Sequence, residues 1–66
     1  MSQREANLLQ LKDTLEHLRD SQKQLQWAED AQAIYLITET MLRDLECCRR
    51  LCEALQRRRS SLQHAM

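Results

Sequence analysis

Apolar residues along the chain fall into two series at helical spacing. Leu8, Leu11, Leu15, Leu18 and Leu25 recur at alternating steps of three and four, with Gln22 in the vacant place. That spacing marks one face of a paired helix. In heptad terms 8, 15 and 22 take the a positions and 11, 18 and 25 the d positions; a polar a residue such as Gln22 costs stability but fixes register. The series fails at Glu29 and Gln32. A second runs through Ala31, Ile34, Thr38, Met41, Leu45, Cys48, Cys52, Leu55, Arg59, Leu62 and Met66, offset by two residues and widened by Ile37, Leu42 and Leu51. The second face sits about a quarter turn from the first, more than the ~20° per heptad by which a straight helix drifts.

The pattern predicts an all-α fold with a first heptad segment at 3–26 and a second at 31–63, together one helical oligomerisation module over residues 1–66. Ser2 followed by Glu5 has capping-box spacing and marks the first helix start. Two architectures follow from the shift near Trp27 to Ala31. One is a long amphipathic helix, roughly 90 Å from end to end at 1.5 Å per residue, forming a coiled coil. The alternative is a two-helix antiparallel hairpin that turns near residues 27–31, with Asp30 capping the second helix. Ala, Gln and Glu at the junction, and the absence of the usual turn residues, favour the continuous helix.

Composition narrows the picture. A chain of 66 residues without Gly, Pro, Phe or Val, but with twelve Leu, lacks the means for phosphate-cradling glycine loops and tight hairpins. A domain this small hides only about 60% of its unfolded surface, so a partner is expected. No apolar run approaches the eighteen or more residues of a membrane span, and the first residues have no signal-peptide character. The expected location is intracellular, soluble and cytoplasmic, with the nucleus left open.

Charge adds orientation. Residues 1–30 hold four basic and six acidic side chains and residues 31–66 hold six basic and four acidic, so the net charge of zero conceals a weak dipole that favours antiparallel self-pairing. Glu39 with Arg43, Glu46 with Arg50 and Glu53 with Arg57 are acid-to-base pairs four residues apart, the favourable helical order. Arg49, Arg50, Arg57, Arg58 and Arg59 form a basic region that could contact anions such as lipid headgroups or phosphates. A DNA-reading basic region would be denser, and RNA modules stack bases on aromatics scarce here, so nucleic acid is not the expected partner.

The chemistry-bearing residues have structural readings. Cys48 and Cys52, one turn apart, could supply half a tetrahedral zinc site across a dimer, but no CxxC pair is present and both fall on seam positions, where Cys packs as a small hydrophobe. His17 and His64 lie too far apart to meet on one helix. One or two helices offer no enclosed pocket for a nucleophile and base, so neither enzymatic activity nor a cofactor is expected. Trp27 and Tyr35 flank the register shift; they are expected to fill the space where the seam moves or to close a hairpin, the alternative being anchors for a partner's pocket.

Short stretches resemble known helical families. Residues 33–46, AIYLITETMLRDLE, look like the amphipathic anchoring helices that dock on the regulatory-subunit dimer of protein kinase A. The layered seam is similar to a membrane-fusion SNARE motif, with Cys48 where that family has Gln or Arg. Leu15 to Ala28 is similar to one helix of a spectrin-type repeat. Each covers only part of the chain. The expected function is a non-enzymatic coiled-coil self-association and scaffold module, whose interface comprises Leu8, Leu11, Leu15, Leu18, Leu25, Ile34, Met41, Leu45, Cys48, Cys52, Leu55 and Leu62. The expected partner is the chain itself or another helical protein; alternatives are a subunit of a hetero-oligomeric bundle and a peripheral helix on anionic membranes, the latter through Leu51, Leu55 and Leu62.

Overall fold

The computed structural model describes the backbone of residues 2–64 and the side chains of residues 2–57. It is an antiparallel hairpin of α1 (Gln3–Trp27) and α2 (Ala31–His64). The continuous rod favoured by local propensity is therefore replaced by its alternative.

The helix ends explain how. Ser2 begins α1: its hydroxyl oxygen accepts a hydrogen bond from the Glu5 amide at 3.1 Å and donates to Glu5 Oε1 at 3.1 Å. At the other end Ala28 leaves the helix in an extended conformation, φ −75° and ψ 127°, while its N–H still donates to the Leu25 carbonyl at 3.2 Å. Asp30 restarts the helix, its carboxylate accepting from the Gln32 amide at 2.9 Å and its carbonyl from the Ile34 amide at 3.0 Å. No described residue has a positive φ. The reversal thus needs no left-handed residue, and a lack of glycine is no bar to it.

The helices meet along a seam that combines neither series intact. Asn7, Leu11, Thr14, Leu18, Ser21, Leu25 and Ala28 on one side, and Ala33, Ile37, Thr40, Asp44, Cys47, Leu51 and Ala54 on the other, are all half-buried or buried. Both sets step by four and three, as paired helices require. The seam is thin and partly polar. Leu51 is the one buried apolar side chain among the described residues, and Ser21 is the buried polar one.

The hairpin measures 54 × 22 × 12 Å. Its thinnest dimension is one helix diameter, so the fold is a single layer, whereas a hydrophobic core ordinarily lies between two. Its Cα radius of gyration, 15.7 Å, exceeds the roughly 11 Å of a compact chain of this length.

Candidate interaction face

Three contacts set the register between the helices. Thr14 Oγ1 and Gln10 Nε2 each lie 3.9 Å from Cys47 Sγ, and His17 Nδ1 contacts Asp44 Oδ2. Thr14 also donates to the Gln10 carbonyl at 2.8 Å, which satisfies its hydroxyl inside the seam. One side of the hairpin is polar at these levels. A shallow cleft there, about 460 Å³, is lined by Gln10, Arg43, Glu46, Cys47, Arg50 and Leu51, and a second by His17, Asp20, Ser21, Gln24, Leu36, Ile37 and Thr40.

The opposite side is apolar. In an antiparallel pair the residues that follow one seam position on each helix fall on the same flank. Here that flank receives Leu8, Leu15 and Gln22 from α1 and Ile34, Met41, Cys48 and Leu55 from α2. On α2 the flank continues outward through Thr38, Leu45 and Cys52. Ile34, Thr38, Met41, Leu45, Cys48, Cys52 and Leu55 thus form a complete outer stripe, one residue ahead of the inner seam and so about 100° around the helix. Tyr35 and Leu42 extend it outward; Leu45 and Leu42 are 52% and 59% exposed, values that leave most of each side chain in water.

This placement divides the residues singled out in the sequence. Leu11, Leu18 and Leu25 lie in the seam between the helices; Leu8 and Leu15 are exposed beside it, and Gln22, expected at a buried a position, is exposed within the hairpin. The second series, from Ile34 through Met41, Leu45, Cys48 and Cys52 to Leu55, is this outer stripe: Ile34, Leu45 and Cys52 are exposed, whereas Thr38, Met41, Cys48 and Leu55 are already half-buried within the hairpin. The inner seam of α2 was not singled out as a face, because Ala33, Thr40, Asp44 and Cys47 carry almost no hydrophobic signal. Leu62, Arg58 and Arg59 have side chains outside the described residues.

Electrostatics on α2 centre on Arg49. Its guanidinium donates twice to Glu46, at 3.0 and 2.5 Å, and once to Glu53 at 2.8 Å, while Arg50 Nε lies 3.5 Å from Glu46. Glu53 therefore pairs backward with Arg49, where sequence spacing pointed to Arg57. The Arg49 hydrogen bonds hold the Glu46 carboxyl below its usual value, and those to Glu46 hold the Arg49 guanidinium above its own. Burial pushes the Cys48 thiol up, helped by the neighbouring Cys47 and Cys52 thiols. Cys47 is in the seam, whereas Cys52 is exposed on the outer stripe; all three thiols are free. Among the described residues no cluster of His, Cys, Asp and Glu has the makings of a metal site, and no helix is long and apolar enough to cross a membrane.

No protein-family model matches the chain, and no curated protein or solved structure does so.

Proposed function

We propose that the hairpin is a non-enzymatic self-association module that tethers or assembles protein complexes, folding fully only when its apolar flank is covered. The observation that carries this reading is the outer stripe of α2: an intact heptad series, on a single-layer fold, exposed at Ile34, Leu45 and Cys52 and only half-buried at Thr38, Met41, Cys48 and Leu55. A helix of a bundle buries a face wider than one seam, and α2 has that width only when inner and outer stripes are counted together. Burial of a Leu side chain contributes roughly 1.5 to 3 kcal/mol, so covering Leu45, Ile34, Leu15 and their neighbours supplies what the thin inner seam lacks. Work in the cytoplasm is part of this proposal.

Light scattering on the purified chain tests it. Leu45→Asp places a charge in the centre of the stripe and is expected to lower the mass to that of one chain. Leu9→Asp, a change at an exposed leucine outside both the seam and the apolar flank, is expected to leave the mass unchanged. Equal masses for the two variants would sink the assignment of the face. An unfolded single chain without either substitution would shift the role to a subunit of a bundle built with other helical proteins.

A further inference from the structure

Resting on the self-association reading, we propose that the outer stripe is covered by a second copy of this chain whose α2 runs antiparallel to the first, about a twofold axis passing Leu45 of α2 and Leu15 of α1. The stripe runs from Ile34 to Leu55, so its midpoint falls beside Leu45. Antiparallel pairing about that point sets Ile34 against Leu55 of the second copy, Thr38 against Cys52, Met41 against Cys48, and Leu45 against itself. Thr38 is fit for such a place: its hydroxyl donates to the Ile34 carbonyl at 2.8 Å, so burial strands no donor.

The hairpin register makes the same axis serve α1. With Thr14 beside Cys47 and His17 beside Asp44, Leu15 lies within about one residue of the level of Leu45. The apolar flank of α1 runs from Leu8 to Gln22 and has its midpoint at Leu15. A twofold interface applies one patch to itself, and here both helices present a patch centred at one level. Lys12 and Arg19 border Leu15 on α1, so the closer contact is between the two α2 helices.

Charge selects the direction. Residues 29–46 contain five acidic and one basic side chain, a formal charge of −4, and residues 47–59 contain five basic and one acidic, +4. The boundary falls beside Leu45. Antiparallel pairing lays each acidic half on a basic half, whereas parallel pairing opposes like charges along the whole contact.

The native cysteines give the test. In the antiparallel dimer Cys52 faces residue 38 of the second copy, fourteen residues from the level of its own twin, or about 21 Å along the axis. Disulfides need Cα atoms within about 7 Å. Full-length chains carrying Cys47→Ala and Cys48→Ala would be oxidised mildly after circular dichroism confirms helicity. The chain retaining Cys52 alone is expected to stay uncrosslinked, and addition of the near-isosteric Thr38→Cys is expected to convert most of it to a covalent dimer linked 38 to 52. A third chain, Leu45→Cys with Cys52→Ala, is expected to link 45 to 45.

Linkage of Cys52 to its twin would overturn the orientation while leaving self-association standing. A mass of two chains with no linkage in any variant would overturn the choice of face. A mass of one chain for the protein with its native cysteines reduced would overturn both this geometry and the reading beneath it.

Discussion

At the scale of single residues, Asp30 decides where the chain reverses. It follows an extended Ala28 and supplies both the carboxylate and the carbonyl that begin α2. Loss of such a cap costs about 1 kcal/mol, so Asp30→Ala should lower hairpin stability by that amount in urea unfolding, while Asp30→Asn should leave it nearly intact. Glu46 gives a pH signature. Because Arg49 holds its carboxyl below the ordinary 4.5, its contribution is complete above that value and fades as pH falls through the lowered one. Glu46→Gln should therefore flatten the loss of stability between about pH 5 and 3, measured as the urea midpoint against pH. The thiols separate in the same manner: Cys48, partly buried and pushed up, should react with a maleimide more slowly than exposed Cys52, as read by peptide mapping.

At the scale of the helices, the seam between α1 and α2 depends on very few large side chains. Leu51 is its one buried leucine, and Leu51→Ala should cost roughly 2 to 3 kcal/mol, against a few tenths for Leu9→Ala on an exposed face, both measured by chemical unfolding. Both helices were legible in the sequence, 3–26 and 31–63 against Gln3–Trp27 and Ala31–His64, because capping residues and long periodic stretches are local signals. The reversal between them was legible only as the alternative. Glycine and proline mark turns that need unusual backbone angles, and this turn needs none: one extended residue and an aspartate cap suffice. The inner seam of α2 was hidden for a different reason. Ala33, Thr40, Asp44 and Cys47 pack well between close helices because they are small or find polar partners, and a search for large apolar residues passes over them. What such a search found instead was the outer stripe.

At the scale of the whole molecule, the hairpin lacks a second layer. A hairpin 12 Å thick has almost no interior, yet α2 carries two parallel stripes, one packed on α1 and the other exposed at Ile34, Leu45 and Cys52 and half-buried between them. The proposed association would link folding to binding, since a second chain covering the stripe would bind the folded hairpin and not the open chain. The most direct measurement is sedimentation equilibrium of the unaltered chain under reducing conditions, with circular dichroism recorded on the same samples across a hundredfold dilution. Self-association through the stripe predicts a mass of twice 7.9 kDa at the concentrated end, with mass and helicity falling together on dilution. A mass of 7.9 kDa at every concentration, with helicity undiminished, would contradict it: the hairpin would then be self-sufficient and its outer stripe no interface at all.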